Sequence, residues 1–218
     1  MPGIVVIGAG PGIGASVARR FAREGFSVGL IARSRATVDA ALALLADSNV
    51  NRYGLTADAA DEAALGAALD KLVEQLGVPD AVVYNAAIIQ FDSIGELTVA
   101  QHLEAWAVNV VGAITTSTHL LPAMAALGRG TFVITGGMPI PLPDVASLSL
   151  GKAGVRALTE MLEAKYKPSG VHVATVTVGG AVAPNSALDP DDIAAEYWRL
   201  HAQPSGSWER EVLFDGVR

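Results

Sequence analysis

An apolar run over residues 4–7 passes without a break into Gly8-Ala9-Gly10-Pro11-Gly12-Ile13-Gly14. Glycines at alternate positions let the backbone turn tightly and let a ligand approach the main chain. An alanine-rich stretch with helical patterning follows over residues 14–24. A helix starting there offers free N–H groups and the positive end of its dipole to whatever the turn holds. Strand, glycine turn and helix, in that order, form the context in which such a string grips the pyrophosphate of a dinucleotide. Gly8, Pro11, Gly12, Ile13 and Gly14 are therefore the first candidate cofactor-binding residues.

The rest of the chain repeats the same alternation. Further β-branched runs lie at 27–32, 51–56, 80–84, 130–135, 171–178 and 211–214. Helical stretches lie between them at 36–46, 61–76, 99–127 and 146–167, with a short one from Pro190 to about His201. Most of the strand-like runs are continuously apolar, as expected of strands covered on both faces. Strand–helix alternation means crossover units and a parallel sheet, and crossovers are right-handed. The expected product is an α/β Rossmann-type fold, doubly wound, with a seven-stranded parallel sheet and helices on both faces. Asp61 and Glu62 suit a helix start, Gly77 followed by Pro79 a helix stop, and Asp189-Pro190 an N-cap with proline behind it. The sequence shows no internal repeat or linker, so one domain is expected over 1–218, with 181–207 as a short substrate-side insertion.

The end of the second strand should meet the adenosine ribose. An NAD binder usually places a carboxylate there for the 2′-hydroxyl. This chain reads Ala32-Arg33-Ser34-Arg35, with no acid. The planar fork of Arg33 suits a 2′-phosphate, which favours NADP(H) over NAD(H).

Composition excludes several other classes. With no cysteine the chain has no disulfide framework, thiolate metal site or cysteine nucleophile. A net charge of -7 argues against a nucleic-acid partner. No run of about 18 uninterrupted apolar residues is present, so no membrane-spanning helix is expected. The opening Met1-Pro2-Gly3 carries no basic segment, and the expected location is the cytoplasm. A G-x-x-x-x-G-K-[ST] string is also lacking, which disfavours a triphosphate-binding domain.

With these features together, the chain resembles the short-chain dehydrogenase/reductase family over nearly its whole length. The spacing of Gly8, Gly12 and Gly14 matches the family's GxxxGxG loop. The resemblance implies that Asp58 holds the adenine amino group and that Tyr84-Asn85-Ala86-Ala87 stands for the family's Asn-Asn-Ala-Gly, with Asn85 and Ala86 near the cofactor. It implies that Asn109 supports a proton-relay water and that Lys152 is the lysine of YxxxK. Gly179-Gly180, with Val182 beyond, would lie beside the nicotinamide. It further implies a small-molecule substrate and a homodimer or homotetramer built through the two long helices.

The same resemblance exposes two departures. The family tyrosine, a general acid/base whose pKa is lowered by the lysine and the nicotinamide charge, falls at Leu148. The family serine falls at Gly137. Both losses are on the substrate side, whereas the groups that the resemblance sets against the cofactor, Lys152 and the glycine loop, remain. Thr135 and Ser149 are weak candidates to substitute, since Ser149 is rotated by about 100° from position 148 on a helix. Histidines 102, 119, 172 and 201 show no metal-ligand spacing and are expected at the surface or an interface. Tyr197, Trp198 and Trp208 either line a pocket or fill core. Two readings remain open: an NADP(H)-dependent oxidoreductase with a non-standard site, or an NADP(H)-binding regulatory or structural module without catalysis.

Overall fold

A computed structural model describes residues 1–216, so the last two residues of the expected 1–218 unit lie outside the described residues. Its elements run β1 (Gly3–Ile7), α1 (Ile13–Arg23), β2 (Ser27–Ala32), α2 (Arg35–Ala43), β3 (Arg52–Thr56), α3 (Glu62–Leu76) and β4 (Ala81–Tyr84). They continue with α4 (Val99–Trp106), α5 (Gly112–Ala126), β5 (Gly130–Gly137), α6 (Ala146–Tyr166), β6 (Val171–Val178), α7 (Pro190–His201) and β7 (Glu211–Phe214). The strands form one sheet in the order β3-β2-β1-β4-β5-β6-β7, and every pairing is parallel.

Why these runs become central strands is visible in their burial. β1, β2, β4 and β6 are buried at every position, whereas the edge strands β3 and β7 are partly exposed. One face of the sheet packs Leu65, Leu69 and Leu72 of α3, Leu121 and Met124 of α5 and Val155 of α6. The other packs Val17 and Phe21 of α1, Ala41 of α2 and Ile193 and Tyr197 of α7. The chain leaves β1 toward one edge and returns at β4 toward the other. Loops after these two neighbours therefore diverge, and an open parallel sheet binds ligands in the crevice left at such a reversal.

The helix ends follow their sequence signals. Asp61 accepts from the amide of Ala64, Asp189 accepts from that of Asp191, and Thr98 with Gln101 forms a capping box on α4. Gly77 closes α3 at φ 76.

The expected continuous helix over 99–127 is instead interrupted by a π turn at Ala107–Val111. The extra residue in that turn has tertiary causes. The Tyr84 hydroxyl donates to the Val108 carbonyl at 2.5 Å, and the Asn109 amide turns outward to the main chain of Ile88. Such single π turns are frequent at functional sites.

The segment between β6 and β7 also differs from a simple cover over the substrate. Tyr197 is fully buried, and Trp198 meets Phe21 and Phe26 edge-to-face at 5.2 and 5.6 Å. Trp208 stacks on His172 at 5.0 Å. These aromatics fill core. Two histidines depart from the expected surface or interface placement. His172 is buried between the carbonyls of Leu200 and Glu209, and His201 is half-buried against the Thr131 hydroxyl. Both are held because their ring nitrogens find partners inside the fold. Among the described residues no helix is long and apolar enough to cross a membrane.

Candidate active site

A cleft of about 1260 Å³ opens where the loops after β1 and β4 part. The first turn forms one wall. Gly8 has φ +87, and a Cβ on it would lie 2.4 Å from the amide nitrogen of Ala86, so no other residue fits. Gly14 lies outside the lining but brings α1 close to the turn, since a Cβ there would meet the Gly8 carbonyl oxygen at 2.2 Å. Gly12 caps α1 with no side-chain hydrogen bond. Among the described residues no acceptor reaches the amides of Ile13 or Gly14, although those of Ala15 and Ser16 bond the Gly10 and Gly12 carbonyls. Two open N–H groups at a positive helix end can receive an anion such as a phosphate. The residues present thus fit the pyrophosphate that the turn implies.

The second wall comes from the end of β2. Arg33 lines the cleft, and it makes no ion pair with any described residue, whereas Arg35 is held by Asp39. Ser34 and Thr37 line the cleft beside Arg33. The Ser34 hydroxyl oxygen caps α2 by accepting from the Thr37 amide at 3.1 Å. These two were not singled out from the sequence, although the S-x-x-T spacing at a helix start was there to be read. Asp58 is exposed and accepts from the Ala60 amide at 2.9 Å. It lies outside the lining itself, between Ala57 and Ala59, which are part of it.

Asn85 and Ala86 line the floor. The Asn85 amide is spent on the protein: Nδ2 donates to the Gly8 carbonyl at 2.8 Å, and Oδ1 accepts from Thr135 at 2.9 Å. The Tyr197 hydroxyl lies 2.7 Å from the Thr135 oxygen. Since the Thr135 proton goes to Asn85, Tyr197 donates to Thr135. Burial pushes the Tyr197 phenol well above its ordinary range. This chain of bonds fastens the ends of β1, β4 and β5 and the inner face of α7.

Lys152 of α6 reaches the cleft from the far side. Its ammonium donates to the Thr135 carbonyl at 2.6 Å, and burial pulls its pKa down from 10.5 to about 8. Leu148 stands one helical turn before it and lines the cleft. A Cβ on Gly137 would lie 3.6 Å from Lys152 Cε. Positions 137, 148 and 152 therefore converge, but only Lys152 among them carries an exchangeable side-chain proton. Neither substitute hydroxyl is free. Thr135 is committed to Asn85, and Ser149 bonds the amide and carbonyl of Leu142.

Asn109 is buried and lies outside the lining. Its Oδ1 accepts from the Ile88 amide at 2.7 Å and its Nδ2 donates to the Ile88 carbonyl at 3.2 Å. It thereby positions the loop that carries Ala86 and Ile89. Gly180 and Val182, after β6, line the cleft opposite the glycine turn. The remaining substrate-side wall is apolar: Ile89, Phe91, Met138, Leu142 and Val145 were not foreseen, because loop residues carry no periodicity to mark them.

Comparison with known proteins places this geometry. Residues 3–192 match the short chain dehydrogenase family. The "2-(S)-hydroxypropyl-CoM dehydrogenase 3" of Xanthobacter autotrophicus is 30% identical over 178 residues, which cover 81% of this chain and 70% of that one. An alcohol dehydrogenase from the archaeon Thermococcus sibiricus, solved with 5-hydroxy-NADP, superposes with a TM-score of 0.90 at 24% identity, covering 100% of this chain and 97% of that one. A metagenomic short-chain oxidoreductase solved with NADP gives a TM-score of 0.89 at 26% identity, over 97% and 96% of the two chains.

Proposed function

The chain belongs to the short-chain dehydrogenase/reductase family of oxidoreductases, and from that premise we propose that it binds NADP(H) and transfers hydride to or from a small molecule at a non-standard site. The observation that carries the reading is the pair of open amides, Ile13 and Gly14, at the mouth of a cleft that ends on Lys152. Arg33, unpaired among the described residues and beside Ser34 and Thr37, supports a 2′-phosphate and hence NADP(H) over NAD(H). The metagenomic relative holding NADP is consistent with this.

In this reading Gly8, Pro11, Gly12, Ile13 and Gly14 hold the pyrophosphate, Asp58 approaches the adenine, and Gly180 and Val182 approach the nicotinamide. Asn85, Ala86 and Asn109 keep the floor and its loop in place. When bound, the nicotinamide supplies the hydride chemistry. The chain supplies orientation and proton handling, with Leu148 and Gly137 where the family has tyrosine and serine. Val99, Leu103, Trp106, Ile114 and Met161 are exposed apolar side chains on α4, α5 and α6, and they support a homo-oligomer formed through those helices.

Calorimetric titration with NADPH and NADH tests the reading. NADPH should bind at least tenfold more tightly than NADH, and NADPH oxidation should appear in a carbonyl and quinone panel. Silence toward both coenzymes sinks the cofactor assignment; binding with no turnover on any acceptor favours a module without catalysis.

A further inference from the structure

Beyond the glycine turn and the end of β2, the cleft is lined by the apolar side chains of Ile89, Phe91, Met138, Leu142 and Leu148. Lys152 is the one described side chain of that wall with a titratable proton. Phe91 lines the cleft and stands 92% exposed, so an apolar guest that covered it would gain the burial of its ring. The Lys152 ammonium carries three protons. One goes to the Thr135 carbonyl, and among the described residues no second acceptor is present. A cation only 7% exposed with a single hydrogen bond is poorly compensated. A ligand oxygen would supply what is missing. Gly137 leaves the flank of the lysine stem open to such a ligand, because nothing larger than hydrogen stands there.

The charges around this group leave its proton transferable. On α6, Arg156 donates to the carbonyls of Gly137 and Met138. On the segment before α4, Asp92 is engaged by Ser147 and by Gln90. From α7, Tyr197 is bonded to Thr135 and is held neutral by burial. Asn109 and Thr135 are uncharged. Among the described residues no carboxylate pins the ammonium, and burial has brought it to about 8, within reach of neutral pH.

Resting on the NADP(H) reading above, we infer that Lys152 is itself the proton donor to the substrate oxygen, and that the substrate is an uncharged apolar carbonyl or quinone. In the reducing direction the carbonyl carbon accepts a hydride from the reduced nicotinamide coenzyme, which is oxidised. The π pair of the C=O bond moves onto oxygen. That oxygen takes a proton from Lys152 Nζ, which is left as a neutral amine and is reprotonated by water. The lysine thus does directly what a tyrosine would otherwise do beside it.

The test uses the full chain and its Lys152→Arg and Lys152→Met variants, with NADPH and 9,10-phenanthrenequinone. Arginine keeps the cation but gives up no proton near neutrality. The wild type should oxidise NADPH at a level rate below about pH 8, falling above it as the ammonium is lost. At saturating NADPH, Lys152→Arg should lose roughly 10²-fold or more in kcat, with no break near pH 8. A second readout needs no turnover: 2-naphthol, an apolar phenol standing in for the substrate oxygen, should bind the coenzyme-free protein and shift the Nζ resonance of Lys152, and should bind Lys152→Met at least tenfold more weakly. A profile level from pH 6 to 10, wild-type kcat in Lys152→Arg, or NADPH binding without quinone turnover each overturns the inference while the cofactor reading stands. If NADPH fails to bind, that reading falls, and the naphthol titration alone decides whether Lys152 receives an apolar oxygen ligand.

Discussion

The Thr135 hydroxyl donates to Oδ1 of Asn85 at 2.9 Å, across fifty positions of sequence, and so ties the end of β5 to the end of β4. The same oxygen receives the Tyr197 proton. A residue two positions before Gly137 is therefore structural in its side chain and offers the site only its carbonyl, to Lys152.

Thr135→Val keeps the shape and removes the hydroxyl. Asn85 Oδ1 and the buried Tyr197 hydroxyl then lose their partners at once. An unsatisfied buried group costs about 1–3 kcal/mol. The variant should melt roughly 4–10 °C lower by calorimetry, given about 2–4 °C per kcal/mol for a domain of this size. Its NADPH affinity should fall less than tenfold, because the glycine turn is untouched. An unchanged melting temperature would mean the three groups do not act as a clamp.

Gly14→Ala tests how closely α1 must approach the turn. Its Cβ would sit 2.2 Å from the Gly8 carbonyl and 3.0 Å from Ala9 Cα, both backbone atoms that cannot swing aside. Overpacking of this kind costs about 1–3 kcal/mol, and the shift displaces the open amides of Ile13 and the residue itself. NADPH binding should drop by 10²-fold or more, with a lower melting temperature. Gly10→Ala, where a Cβ meets no protein atom within 4 Å, should leave stability unchanged. Equal melting temperatures for Gly14→Ala and wild type would refute the close packing.

Arg33→Gln separates the two coenzymes. A hydrogen bond to a charged group contributes about 1.5–3 kcal/mol, so NADPH affinity should fall roughly 10- to 100-fold. NADH, without the 2′-phosphate, should bind within about twofold of its wild-type affinity. The melting temperature should hold, because Arg33 pairs with no described residue. Parallel losses for both coenzymes would place the arginine elsewhere than at the 2′-phosphate.

How far the chain could be read depends on the range of the interactions. The strands were legible because runs such as 4–7 and 81–83 are apolar at every position, a local property. So was part of the first turn, where Gly8 takes a positive φ and Gly14 packs on the Gly8 carbonyl six positions before it. The π turn at Ala107–Val111 was not, because it depends on Tyr84 and Ile88, which reach Val108 and Asn109 from more than twenty residues away. The commitment of Asn85, Thr135 and Ser149 to structural bonds was hidden for the same reason: a hydroxyl in sequence looks equally free whether or not a distant amide has claimed it. The apolar wall at Ile89, Phe91 and Leu142 sits on loops, where no period separates a lining residue from a solvated one.

The half-buried imidazole at position 201 gives the fold a pH limit of its own. His201 contacts the Thr131 hydroxyl at 3.0 Å and packs among Phe21, Phe26 and Trp198. Burial first, and then the neighbouring His172, pulls its pKa from 6.5 to about 4. The folded state therefore holds fewer protons at this ring than the unfolded chain does between those values. Stability from the neutral ring is fully present above about pH 6.5 and is lost as pH falls toward 4. At about 1.4 kcal/mol per pKa unit, the loss is on the order of 2–3 kcal/mol. Urea unfolding at pH 7 and pH 4.5 measures it directly, and His201→Gln supplies the control by removing the titration while keeping a polar group near Thr131. The wild type should lose about 2 kcal/mol more than His201→Gln between the two pH values. Equal losses would show that the ring protonates in place without cost to the fold.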